Sequence, residues 1–301
     1  MLEAAKQVLA DFAAKGFPEL SIRKVHYEVG QHHKPRLRNK QREWVTYSLT
    51  NNCYQRLDKV LLAARHQGII RWNQISDDTR PFISWAIWDN PQDFVTLQFE
   101  KFLSGYKRNL LQSQSDYFIV LGEKSTIGQF IQPVCAEYQI PILLQRGFCS
   151  GRPLYEVVER FRKSGCKRLV PLLMTDFDPP GQEINNNVAF YMEKIHKVPC
   201  YPIQVGIKAN HVQEFNLPSG GKAKPASPGY QRFVDTYGHD IRELESMQTA
   251  DLQAILRSAI DSVLDVEAFN REVRQSYDDN VSIDHTRAEI MAAARGIVLK
   301  T

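Results

Sequence analysis

Hydrophobic positions recur with two different rhythms along this chain, and the change falls near Tyr117. Before it, the spacing is helical. Met1 to Gly16 reads as an amphipathic helix, with Glu3, Lys6, Asp11 and Lys15 among its polar positions. Ser21 is placed to cap a helix starting at Ile22, because its hydroxyl can accept from an otherwise orphaned amide. Trp44 to Leu49 is a short β-like stretch. Asn51 or Asn52 then caps a helix in which Tyr54, Leu57, Leu61 and Ala64 share one stripe. Gly68 suits the left-handed residue that ends such a helix, and Ile69 to Trp72 predicts a short strand that could form a wing. Together these elements predict a helix-turn-helix-like unit.

From Tyr117 onward, short apolar runs alternate with helical stretches. Strands are expected at Tyr117–Gly122, Ile140–Leu144, Arg168–Met174 and Val198–Val205. Helices are expected at Ile127–Tyr138, Leu154–Ser164 and Gly181–His196. This alternation predicts an α/β fold with a parallel sheet covered by helices. Asn216 to Tyr230, rich in Gly, Pro, Ser and Lys, reads as an exposed loop, and Gly238 to Thr301 as predominantly helical. The expected division is residues 1–105 and residues 115–301.

Composition narrows the class without naming a function. The 301 residues are 43% hydrophobic and 24% charged, as in ordinary globular proteins, and no apolar run approaches the ~20 residues that span a bilayer. The five cysteines show no C-x-x-C spacing, which argues against a zinc or disulfide framework and for a reducing cytoplasm. The net charge of +4 says less than its distribution. His32, His33, Lys34, Arg36, Arg38, Lys40 and Arg42 cluster without an intervening carboxylate, as phosphate neutralisation requires. Gln55, Arg56, Lys59, Arg65 and His66 lie largely off the apolar stripe of the following helix, as in a helix that enters a DNA groove. Solvated surfaces show both patterns as well.

The sharper chemistry is acidic. Glu123 follows the first strand of the sheet, and Asp176 and Asp178 follow the third, in Thr-Asp-Phe-Asp-Pro-Pro-Gly. Open α/β folds place their ligands at the carboxyl ends of strands. Carboxylates converging there repel one another unless a cation joins them, and an all-oxygen set suits Mg²⁺, with Mn²⁺ as a substitute.

Gly122-Glu-Lys124 followed by Asp176-Phe-Asp-Pro-Pro-Gly181 resembles the Toprim domain of the topoisomerase VI A subunit and of the related meiotic double-strand-break protein. Arg146-Gly-Phe-Cys-Ser-Gly151 resembles the loop between those motifs. Phe215-Asn-Leu-Pro218 and Glu243-Leu-Glu-Ser-Met247 resemble the tail of stand-alone bacterial and phage relatives. The resemblance implies an amino-terminal winged-helix domain, then a Rossmann-like Toprim domain with a helical carboxy-terminal extension. It implies Mg²⁺ on Glu123, Asp176 and Asp178, with Lys124 and Arg146 facing phosphate. Lys24, Lys34, Arg36, Arg38, Arg56 and Lys59 are the further DNA-contact candidates.

One tyrosine offers a second test. Ile22, Val25 and Val29 form one helical stripe, and Tyr27 lies about 140° from Ile22 and about 200° from both valines. Arg23 shares its face and Lys24 lies beside it, and nearby cations lower a phenol's pKa. Arg23-Lys-Val-His-Tyr27 resembles the family's motif ending in the DNA-cleaving tyrosine, although Lys24 and His26 depart from its usual acidic and aromatic residues. By that resemblance Tyr27 attacks double-stranded DNA as a nucleophile, Arg23 assists, and two subunits pair so that each tyrosine meets its partner's metal. No Gly-rich phosphate loop is present, so strand passage would need an ATPase partner subunit. A hydrolytic Toprim nuclease, a non-enzymatic DNA-binding module and a primase stay open beside this type IIB-like topoisomerase reading.

Overall fold

The computed structural model describes residues 1–39, 41–76, 86–144 and 152–294. The chain divides into two compact units, one of residues 1–79 with 116–262 and one of residues 80–115 with 263–301. Compactness therefore cuts the chain differently from the expected 1–105 and 115–301. The amino-terminal helices belong with the sheet, and the last long helix belongs with the segment before the sheet.

In the first unit, α1 (Leu2–Ala14) buries Ala5, Val8, Leu9 and Phe12 along one stripe. Ser21 caps α2 (Ile22–Glu28) as expected, accepting from the Lys24 amide at 3.2 Å. A π-helical turn continues it to His33. The chain then forms an antiparallel hairpin of β1 (Arg36–Arg38) and β2 (Trp44–Thr46). Next comes α3 (Asn51–His66), whose cap is Thr50 rather than either asparagine. Cys53 joins Leu57, Leu61 and Ala64 on its buried stripe, while Tyr54 is half-buried. Gly68 adopts the expected left-handed conformation, with φ +70°. Residues 69–72 form no strand. A 3-10 turn follows at Trp72–Gln74, and a single bridge pairs Leu20 with Ile75. The hairpin lies earlier, with β1 in the basic cluster and β2 inside the β-like stretch expected at Trp44–Leu49.

The second half of this unit is the expected α/β arrangement. Four parallel strands, β3 (Asp116–Gly122), β4 (Ile142–Leu144), β5 (Arg168–Met174) and β6 (Ile203–Gln204), lie in the order β4-β3-β5-β6. The expected strands at 140–144 and 198–205 are shorter than their apolar runs, because ladder pairing is confined to 142–144 and 203–204, with one separate bridge from Cys200 to Leu169. Alternation along β3 and β5 sends Ile119, Leu121, Leu169 and Leu173 into a core with α6 (Arg152–Ser164) and α7 (Pro179–Phe190). Phe118, Val120, Val170 and Leu172 are buried on the opposite face. There α5 (Gly128–Tyr138) packs on α10 (Thr249–Asp261). Each fully buried Leu or Phe contributes about 1.5–3 kcal/mol relative to exposure.

Two short connections finish the unit. After β6, α8 (Ala209–Glu214) leads to the hairpin of β7 (Gly221–Lys222) and β8 (Asp240–Ile241), with α9 (Tyr230–Tyr237) between its strands. Gly206 is required by close approach, since any Cβ there would run into the Thr175 backbone.

The second unit contains α4 (Pro91–Lys101) and α11 (Val266–Ala294). Its described ion pairs centre on Arg108. Arg108 bridges Glu272 at 2.6 Å and Asp279 at 2.8 Å, and Tyr106 donates to Asp279. Hydrogen bonds from Ser113, Arg108 and Gln112 hold the Glu272 carboxyl down at about 2. No helix among the described residues is long and apolar enough to cross a membrane.

Candidate active site

The order of the sheet chooses its working end. From β3 the chain moves to β4 on one side and then returns past β3 to β5 on the other. Such a reversal opens a crevice at the carboxyl ends of β3 and β5. Gly122 is paired with Met174 there, so Glu123 and Lys124 leave one strand beside Thr175 and Asp176 leaving the other.

Lys124 is the centre of what gathers at this crevice. Its Nζ lies 2.7 Å from Asp176 Oδ2, 3.1 Å from Glu245 Oε2 and 4.0 Å from Glu243 Oε2. Burial alone would lower this ammonium's pKa, but Asp176, Glu245 and Glu243 outweigh it and hold the group above its ordinary value. Asp176 is 6% exposed, and burial pushes its carboxyl upward against the pull of Lys124. Its other oxygen accepts from the Leu244 amide at 2.8 Å. Thr126 donates to Glu245 Oε1 at 2.7 Å.

The two remaining acidic candidates stand differently. Asp178 caps α7, accepting from the Gly181 amide at 2.7 Å, and burial raises its pKa. Glu123 is half-buried just past β3. Among the described residues, no group of three or more His, Cys, Asp or Glu side chains is arranged to hold a metal ion. Of the three expected ligands, Asp176 turns to the Lys124 ammonium and Asp178 to a helix amide.

Tyr27 belongs to the same assembly. Its hydroxyl donates to Glu243 Oε2 at 3.0 Å, and Arg23 Nη1 lies 3.5 Å from that same oxygen. Tyr27 lies off the Ile22–Val25–Val29 stripe, but that face is covered too, and Tyr27 is only 3% exposed. Burial, then the Glu243 carboxylate, raises the phenol's pKa, correcting the lowering expected from neighbouring cations. A Cβ at Gly220 would sit 3.2 Å from the Tyr27 hydroxyl, so a glycine permits this close cover.

The cover is the segment at Arg242–Gln248. It meets Tyr27 through Glu243, Asp176 through the Leu244 amide and Lys124 through Glu245. It also takes hydrogen bonds from Gln31 at the Ser246 carbonyl and from Lys24 at the Met247 carbonyl. Lys24 is thereby corrected as a DNA contact. At 1% exposure it pairs with Glu28 at 2.9 Å and lies over the Phe12 and Phe130 rings.

The other cationic candidates are peripheral. Lys34, Arg36, Arg38 and Lys59 are exposed, and Arg56 is half-buried. Lys40 and Arg146, with the 146–151 loop, lie outside the described residues. Sequence reasoning missed Glu243 and Glu245 as site residues, reading them only as part of a tail. Their local signal is an acidic pair two residues apart in a mixed stretch where Ile241, Leu244 and Met247 recur at helical spacing.

No protein family, curated protein or solved structure matches the chain in comparisons of sequence and fold.

Proposed function

We propose that this chain is a DNA-cleaving enzyme of the topoisomerase VI A-subunit type, in which Tyr27 is the nucleophile and Glu243 accepts its proton. The observation that carries this reading is the 3.0 Å hydrogen bond from Tyr27 to Glu243, inside the cluster that also holds Lys124 and Asp176. A protonated phenol is a weak nucleophile, and a carboxylate within hydrogen-bond reach is the usual remedy. The Tyr27 oxygen attacks phosphorus, its proton passes to Glu243, and the bond from phosphorus to the departing sugar oxygen breaks. That oxygen takes up a proton, leaving a tyrosyl phosphodiester and a free hydroxyl end. Lys124 and Arg23 supply positive charge beside the reacting atoms.

The fold reading that accompanies this proposal treats the amino-terminal helices and hairpin as a winged helix, and the parallel sheet as a Toprim domain. The sequence motifs and the site's position at the strand-order reversal support it. The carboxylate donors have the chemistry Mg²⁺ prefers, but the ammonium of Lys124 fills the cation's role between them. Glu123, Asp176 and Asp178 would hold Mg²⁺ only once Lys124 has left Asp176. The ion would then neutralise charge on the phosphodiester. Double-stranded DNA is the proposed substrate. A homodimer and an ATPase partner subunit come with the resemblance alone.

A hydrolytic nuclease is the second reading, favoured by the 3% exposure of Tyr27. Incubation with supercoiled DNA and Mg²⁺ or Mn²⁺, then denaturing analysis with and without protease, separates the two. The covalent reading expects cut DNA released only after protease and lost in Tyr27→Phe. Cleavage by Tyr27→Phe at the parent rate assigns the attack to water. Unchanged cleavage by both Glu123→Ala and Asp176→Ala removes the metal-site claim.

A further inference from the structure

The hairpin of β1 and β2 has two unlike faces. Its register pairs Arg36 with Thr46, Leu37 with Val45 and Arg38 with Trp44. Side chains alternate across a strand, so Arg36, Arg38, Trp44 and Thr46 share one face. Leu37, on the other face, is buried. The chain leaving β2 is anchored, since the Tyr47 hydroxyl and His26 Nδ1 lie 2.5 Å apart and both residues are buried. His26 is the neighbour of Tyr27 on α2, so the hairpin is tied to the helix that carries the candidate nucleophile.

The outward face combines charge with a flat aromatic ring. Trp44 is 55% exposed, and the guanidinium carbons of Arg38 and Arg36 lie 5.1 and 5.9 Å from its ring centroid. Neither arginine has a carboxylate partner among the described residues. Glu43, in the turn between the two strands, is engaged by Asn39 through both its carboxylate and its backbone amide. Lys34 and Arg42 are exposed at either end of the hairpin. A large apolar ring left in water costs free energy that a covered position would not. Arginines kept beside it without a counter-charge leave their donors available.

We infer that this face binds unpaired nucleic-acid strands, with Trp44 stacking on an exposed base and Arg36 and Arg38 holding the flanking phosphates. Base-paired DNA presents its phosphates but hides its base faces. The charge alone would serve a duplex equally well, so the exposed indole is what argues for single strands. The inference needs neither a metal nor cleavage, and it stands or falls apart from the catalytic reading.

The test is fluorescence anisotropy of a labelled oligonucleotide, single-stranded or duplex, with the full chain in EDTA. The expected result is tighter binding to the single strand. Trp44→Ala should weaken that binding by about tenfold, while Trp44→Phe retains most of it. Arg36→Gln and Arg38→Gln should weaken both ligands and each lower the single-strand salt dependence by about 0.7. Equal affinity of the parent protein for both ligands, or unchanged single-strand binding by Trp44→Ala, overturns the inference. So does competition by polyglutamate or anionic vesicles that matches competition by the unlabelled strand, which would reduce the surface to bare charge. Absence of cleavage by the parent protein, with Trp44-dependent binding intact, would count against the catalytic reading alone.

Discussion

Two ionic assemblies in the first unit use similar side chains in opposite ways. Around Lys124, the carboxylates of Asp176 and Glu245 are buried and that of Glu243 is half-buried, and each meets a donor from the fold. Along the hairpin, Arg36 and Arg38 stand in solvent with only an indole for company. Buried charge must be paired because desolvation is costly, so the first assembly binds distant segments of chain together. Exposed charge contributes little to stability and stays free to meet a ligand. The contrast predicts that substitutions in the first assembly alter folding, whereas those in the second alter binding.

The strongest way to break the comparison is Lys124→Met. It strands Asp176 and Glu245, which are 6% and 4% exposed, without their cation. The expected destabilisation is about 3–5 kcal/mol in urea unfolding, partly recovered by adding Asp176→Asn. A loss below about 1 kcal/mol would show that water already supports the cluster.

Acidification is the next largest effect. Burial first, and Arg23 second, lower the His26 pKa from 6.5 to about 4. The folded protein therefore holds His26 neutral, and its contribution is complete above the unfolded value of 6.5. It is lost as pH falls from 6.5 towards 4, by at most about 1.4 kcal/mol per pH unit. Urea midpoints across that range should fall less steeply in His26→Gln than in the parent.

Tyr27→Phe sharpens the contrast further. It removes one donor to Glu243, which keeps Arg23 at 3.5 Å, so the expected cost is about 1 kcal/mol in the same unfolding assay. Smallest of all, Arg36→Gln with Arg38→Gln should leave stability within about 0.5 kcal/mol. A larger loss would make the hairpin face a structural element.

What could be read in advance follows from the range of the interactions. The β3 and β5 strands, α5, α6, the Ser21 cap and Gly68 rest on local periodicity and local sterics, and the structure carries each of them. Glu123, Asp176 and Asp178 were located at strand ends by the same logic. Their partners were not, because Lys124 meets Glu245 and Asp176 meets Leu244 only through the fold. Tyr27 illustrates the limit well. A seven-residue helix shows its own stripe, but α2 is covered on the other side by residues far along the chain. The wing is expected at 69–72 from a short apolar run, whereas the strands that pair are Trp44–Thr46, inside the expected β-like stretch, and Arg36–Arg38 in the basic cluster, where alternation is masked by charge.

The Arg242–Gln248 cover also has a bearing on how the protein comes to be made. Its contacts span 216 residues to Tyr27, 121 to Lys124 and 68 to Asp176. Contacts so distant in sequence close late, after local helices and neighbouring strands have formed. During synthesis Tyr27 and Lys124 emerge long before Glu243 and Glu245 exist to meet them. The sheet can form first, but the closed arrangement of tyrosine, lysine and carboxylates arrives only when translation has passed the cover segment.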